Sequence, residues 1–208
     1  ICDVVPLTND NRVLASYGLK VLRKTRRQGL IALAENCAMD ISLATETDLG
    51  FKIGPRLNAA GRLTHAKKAL DLLTTNDAAQ AKTIALELGE LNATRQADTK
   101  DILAGCSEQA KKYKKDPILV LSSPDWSHGV VGIVASKISE KWHKPTIILQ
   151  ELGELSKGSA RSYGSFDIIA AIRSCEEFLE SCGGHSFAAG LKLKTERIQE
   201  LRYRTNQY

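Results

Sequence analysis

The spacing of apolar positions changes character along the chain. Between residues 10 and 74 it is helical. Val13, Leu14, Tyr17, Val21 and Leu22 predict a helix over 10–24, followed by short helices over 30–38 and near 65–73. Ahead of them ICDVV reads as the end of a buried strand, closed by Pro6. Thr47 is placed to cap a short helix that ends before Gly54-Pro55, because the residue before a proline resists helical backbone. GPRLNAAGR (54–62) then reads as a loop.

Residues 77–114 hold no proline and only two glycines, with Thr75 or Asn76 available as a cap. Ile84, Leu88 and Leu91 form one apolar stripe; Ile102, Cys106, Ala110 and Tyr113 form another. Between them NATRQADTKD is polar on every side. A helix with apolar ends and a polar middle suits a bridge between two packed bodies. Two successive helices are the alternative.

Beyond Pro117 the rhythm becomes alternating. ILVLSS predicts a strand, and HGVVGIVASKISEKW a helix with Val130, Val134, Ile138 and Trp142 at steps of four. PTIILQ and KGSARS read as strands and DIIAAIRSCEEFLESC as a helix capped by Asp167. LKLK reads as a strand and TERIQELRYR as a final helix. Strands alternating with helices predict an α/β domain.

Composition narrows the class. The 208 residues are 43% hydrophobic and 25% charged, as in a globular protein with a core. No run approaches the ~20 apolar residues of a membrane span, and the opening lacks the basic and apolar segments of a signal peptide. Five scattered cysteines without a CxxC pair argue for reduced thiols in the cytoplasm and against a zinc site. The net charge of +5 permits a polyanionic partner. The abrupt start and uncapped end suggest a piece of a longer protein.

Several short strings can carry chemistry. In GPRLNAAGR, Arg56 and Arg62 flank Asn58 and two alanines, and each guanidinium can fork onto a phosphate; a tight loop with surface arginines is the plainer reading. In KGSARS, Ser159 and Arg161 stand at i, i+2 and share one strand face, either as a phosphate clamp or as an exposed surface. His128 opens the 128–142 helix with Gly129 and Gly132 behind it, where free N–H groups favour anions; glycine for helix–sheet packing is the alternative at Gly132. In SCGGHSFAAG (181–190), Gly183 is placed to end a helix, leaving Gly184 and His185 over. Small residues there would let a nucleotide backbone lie close, with His185 as donor; a helix stop beside a buried histidine is the alternative. Asp3 is the one acid in the N-terminal strand. There is no phosphate-binding P-loop and no dinucleotide fingerprint.

Six strings, CDVVPLTNDNR, GPRLNAAGR, ELNATRQ, WSHGVVGIVAS, GSARS and GGHSFAAG, occur in an order that resembles the RecJ family of single-stranded-DNA exonucleases, within the DHH phosphoesterase superfamily. The resemblance implies an α/β chain in three parts. These are the C-terminal part of a DHH catalytic domain (1–76), a long linking helix (77–115) and a smaller α/β DHH-associated domain that binds substrate (116–208). It implies a metal-dependent 5′-to-3′ exonuclease in DNA repair and recombination, using Mn2+ or Mg2+ in the complete enzyme. Its substrate would be single-stranded DNA with a 5′ end, with a single-strand-binding protein as a partner of the complete enzyme and a monomeric state. Asp3 then matches a metal ligand, Ser159 and Arg161 the residues that hold a 5′ phosphate, and Arg56 an arginine on the strand. Asn58 and Arg62 belong to the same motif as Arg56. Gly183, Gly184 and His185 match a substrate-binding loop.

The family often has histidine directly after the tryptophan of WSHG; here that position is Ser127, so His128 is one residue out of register. The paired aspartates and the DHH triplet are absent, so this stretch is expected to bind no metal alone and to lack activity. A small-nucleotide phosphoesterase of the same superfamily and a non-catalytic nucleic-acid-binding module are the competing functions.

Overall fold

The computed structural model describes residues 1–2 and 5–208. They form two compact units, Ile1–Gln96 and Ala97–Tyr208. No helix among the described residues is long and apolar enough to cross a membrane.

Every secondary-structure element among the described residues of the first unit is a helix. Helix α1 (Asn9–Leu22) follows the predicted pattern, yet only Leu22 is buried. Val13, Leu14, Tyr17 and Val21 are 55%, 70%, 63% and 71% exposed, so the apolar face has no cover among the described residues. The strand expected over 1–5 is absent at Ile1, Cys2 and Val5, and Asp3 and Val4 lie outside the described residues. A strand needs a neighbour to satisfy its backbone, and the described part of this unit holds none.

Helix α2 (Gln28–Asn36) packs on α5 (Lys67–Thr74). Gly29 makes that approach possible: a Cβ there would lie 1.8 Å from the Leu72 carbonyl oxygen. The next helical stretch is capped by Thr45, not Thr47. Thr45 Oγ1 accepts from Asp48 N–H, while Asp48 accepts from Thr45 N–H at 2.9 Å, closing a capping box around α3 (Glu46–Asp48). Nor does the helix stop before Gly54-Pro55. A π-helical turn (Leu49–Ile53) carries the chain into α4 (Gly54–Leu63), so GPRLNAAGR is a helix and not a loop. Gly54 N–H bonds to the Leu49 carbonyl, the wider i→i+5 closure, and Pro55 sits in the first turn of α4, where its missing N–H costs nothing. The core joins Leu33, Ile53, Ala60 and Leu72 to Ala81, Ala85 and Leu88 of α6.

Helix α6 (Ala78–Lys112) is one unbroken helix of 35 residues. Its cap is Asp77, whose Oδ1 accepts from Ala79 and Gln80 N–H, in place of Thr75 or Asn76.

The second unit is built on a five-stranded sheet: β1 (Leu119–Ser123), β2 (Thr146–Leu152), β3 (Leu155–Arg161), β4 (Leu179–His185) and β5 (Ala188–Lys194). The order is β1-β2-β3-β5-β4, with β1 and β2 parallel and the other pairs antiparallel. One face buries Val120, Ile147, Leu149, Ala160, Leu191 and Leu193 against α8 (Ile168–Arg173) and α9 (Ile198–Thr205). Helix α7 (His128–Trp142) covers the other face over β2 and β3.

The outer edge of β1 is closed by side chains. The Gln109 amide both donates to and accepts from Ser122 backbone at 2.9 Å. Asn206 does the same at Ile118, at 3.2 and 2.7 Å, and Arg202 donates twice to the Val120 carbonyl. These bonds take the place of a further strand and protect the edge.

One predicted helix is shorter than its pattern. Asp167 caps it as expected, but it ends at Arg173, and LESCGGH is strand β4. The glutamates of EEFLESC favour helix locally, but β5 would otherwise be an open edge, and Leu179 and Cys182 pack onto the core from the strand. Tertiary pairing overrides the local preference.

Candidate nucleic-acid interface

On β3 the alternate residues Ser156, Gly158 and Ala160 are buried, which turns Lys157, Ser159 and Arg161 to the α7 side. Helix α7 passes directly over the last two. A Cβ on Gly132 would lie 3.1 Å from Arg161 Nη2 and 3.3 Å from Ser159 Oγ, so the glycine makes room for this polar pair. Arg161 Nη1 donates to the Ala160 carbonyl at 2.8 Å.

Strand register extends this face sideways. Ser159 pairs with Gly190, and Gly190 with Gly183. Arg161 pairs with Ala188, and Ala188 with His185. Lys157 pairs with Lys192, and Lys192 with Ser181. Directly opposite residues share a sheet face. The result is a shelf with a floor of Gly190, Gly183 and Ala188, and cationic or donor groups on either side. Gly183, Gly184, His185 and Gly190 are all exposed.

SCGGHSFAAG is therefore the β4–β5 hairpin. Gly183 does not terminate a helix; it lies within β4, and a Cβ there would touch nothing within 4 Å. Gly184 is different. Its φ of +146° and the 2.3 Å approach of the Ala188 carbonyl oxygen to any added Cβ require glycine. His185 Nδ1 accepts from Phe187 N–H at 3.3 Å, which leaves Nε2 as the ring's donor.

His128 stands at the start of α7, its N–H donating to Gln150 Oε1 at 2.8 Å. Desolvation, and then the charge of Lys157, lower its pKa from the ordinary histidine value. The Lys157 charge therefore reaches His128. The sequence reading passed over Lys157, Lys192 and Gly190. Lys157 was findable, standing two residues before Ser159 on the same strand face. Lys192 was not, because its position depends on a pairing between distant segments.

Arg56, Asn58 and Arg62 belong to the first unit, on α4. Arg56 is held firmly: Nε donates to Asn36 Oδ1 at 3.0 Å and Nη1 to the Lys52 carbonyl at 3.0 Å. Gly89 of α6 admits Asn36, since a Cβ there would lie 2.7 Å from Asn36 Oδ1. Asn58 and Arg62 are one turn apart on the exposed side of the helix. Asp3 lies outside the described residues. Among those residues no three His, Cys, Asp or Glu side chains come together as a metal-holding set, so no metal role is assigned to them.

Residues 115–208 match the DHHA1 domain family. The matched stretch holds the mixed sheet and its helical cover. Across its whole length the chain is 39% identical to the single-stranded-DNA-specific exonuclease RecJ of Bacillus subtilis and 40% identical to RecJ of Haemophilus influenzae, covering 27% and 38% of those proteins. The crystal structure of RecJ from Thermus thermophilus in complex with Mg2+ matches with a TM-score of 0.90 at 36% identity. That match covers 100% of this chain and 32% of that one. The same protein in complex with Mn2+ matches with a TM-score of 0.91. The chain is thus similar to RecJ exonucleases over its whole length, and spans about a quarter to two fifths of the length of these curated relatives.

Proposed function

We propose that this chain is the strand-holding part of a metal-dependent 5′-to-3′ exonuclease acting on single-stranded DNA. Residues 1–76 are the C-terminal part of its DHH catalytic domain, 77–115 the linking helix and 116–208 the substrate-binding domain. The observation that carries this reading is the shelf. Ser159 and Arg161 offer a hydroxyl and a guanidinium on one face, beside a floor of glycine and alanine with His185 at its rim. That is the chemistry of a phosphate clamp beside space for a sugar–phosphate backbone. An apolar pocket for a base or a small ligand is not what these residues make.

In this reading Ser159 and Arg161 hold the terminal 5′ phosphate, and Arg56, Asn58 and Arg62 contact the strand from α4. Asp3 contributes to a metal site whose other ligands lie in the remainder of the complete enzyme; Mg2+ or Mn2+ there would supply the activated water. A single-strand-binding protein would deliver the substrate, in the cytoplasm, to a monomeric enzyme.

Arg161→Ala in the complete enzyme tests the clamp. The expected loss is about 10- to 100-fold in kcat/KM on 5′-phosphorylated single strands, the worth of a charge-assisted contact. Strands with a 5′ hydroxyl should lose much less. Equal loss on both ends would refute the assignment.

A further inference from the structure

We infer that Phe187, with His185 beside it, forms a stacking wall for the base of the 5′-terminal nucleotide, and so positions that nucleotide by its base as well as by its phosphate. The inference rests on Ser159 and Arg161 holding the terminal phosphate. It assigns nothing to the phosphodiester that follows, which the proposed reaction needs at the metal site.

Phe187 lies in the two-residue turn, Ser186-Phe187, that joins β4 to β5, since His185 and Ala188 are paired. It is 64% exposed. Single apolar residues on a surface are ordinary, so exposure alone decides nothing. The setting of the ring does.

The turn is braced on three sides. Ser162 N–H donates to the Phe187 carbonyl at 2.9 Å and Ile168 N–H to the Ser186 carbonyl at 3.1 Å. Phe187 N–H donates to His185 Nδ1 at 3.3 Å. These bonds tie the tip of the hairpin to the chain after β3, to the start of α8 and to its own histidine. A ring on a backbone held in this way binds a partner without a further cost of ordering that backbone. Phe166 packs on the core of the α8 side. Phe187 stays outside, its ring 6.2 Å from the His185 ring, centroid to centroid, at an interplanar angle of 60°. His185 belongs to the shelf, since it pairs with Ala188, and Ala188 with Arg161.

Position identifies the ligand. Phe187 precedes Ala188, the residue directly opposite Arg161. With strands ~4.8 Å apart and a rise of ~3.4 Å per residue, the Cα atoms of Phe187 and Arg161 are about 6 Å apart. One nucleotide spans the two. Its phosphate lies on the guanidinium and the Ser159 hydroxyl, its sugar over the Ala188 methyl and its base against the rings. A ring beside a phosphate clamp is the pairing of aromatic face and cation that holds single strands. An open ring face grips a base from one side and does not enclose it. It therefore rewards a base for its area and does not read its edges.

The test is NMR titration of the 208-residue chain with 2′-deoxyadenosine 5′-monophosphate and with 2-deoxyribose 5-phosphate, which has the same phosphate and no base. Phe187→Ala should weaken the nucleotide about 5- to 50-fold, the worth of one stacked base, and leave the sugar phosphate within about twofold. Phe187→Leu should behave as Phe187→Ala, and Phe187→Trp should keep the nucleotide affinity, because stacking needs a flat ring and not apolar bulk. Equal weakening of both ligands, weakening of neither, or full affinity in Phe187→Leu overturns the inference. Arg161→Ala separates it from the clamp. If that variant binds both ligands normally while Phe187→Ala still loses the nucleotide, the clamp falls and the stacking wall stands. If Arg161→Ala weakens both and Phe187→Ala changes nothing, the wall falls alone. Failure of the unsubstituted chain to bind the nucleotide measurably overturns both. Phe187→Ala should leave the unfolding temperature within about 2 °C, as for a surface side chain. A larger fall would mean that the ring serves the hairpin, and would overturn the inference.

Discussion

Adjacent glycines of the β4–β5 hairpin do opposite jobs. Gly184→Ala should destabilise the chain by about 1–3 kcal/mol, because its backbone conformation and the Ala188 carbonyl exclude a side chain. Gly183→Ala should change stability by less than about 0.5 kcal/mol while crowding the shelf, so it should weaken DNA binding without lowering the melting temperature. Chemical denaturation paired with a binding titration separates the two. His128 offers a pH test. Its folded pKa is below the ordinary ~6.5, so its share of stability is present above that value and is lost as pH falls through the folded pKa. Lys157→Gln should raise the His128 pKa, followed by NMR of the ring protons; no movement would mean that the two charges do not communicate. At this scale the sequence was partly legible. That Ser159 and Arg161 share a face follows from strand alternation alone. The grip of Asn36 on Arg56 joins residues twenty apart and has no local signal.

Individual elements were legible where local chemistry decided them. The bounds of α7 and the Asp167 cap follow from spacing and capping preference. Two elements were illegible for a common reason. Around Gly54-Pro55 a π turn absorbs the proline that reads as a helix stop, and at LESCGGH the open edge of β5 recruits a segment rich in helix formers. In both places the outcome is set by geometry that no short window contains. The cap at Thr45 is a testable consequence. Thr45→Ala should cost about 0.5–2 kcal/mol by removing one half of the capping box, whereas Thr47→Ala should be nearly neutral. Urea midpoints of the two variants distinguish the sites. A larger loss at Thr47 would contradict the capping assignment.

For the molecule as a whole, the order of six short strings carried the resemblance, and the pattern within α1 gave its helix. What the spacing does not say is whether that face is covered: Leu14 and Val21 are open among the described residues. Leu14→Glu with Val21→Lys should raise the solubility of the 208-residue chain without lowering its melting temperature. A marked loss of stability would show that the face is packed. The same chain, given Mn2+ and a labelled single strand, should release no nucleotides, since it spans only 27% to 38% of the curated relatives it matches. Metal-dependent release would refute this. The second unit also has a mechanical side. Gln109, on α6, makes both bonds that a neighbouring strand would make at Ser122. Because one side chain makes both bonds, α6 and the edge of β1 at Ser122 hold together or part in a single step.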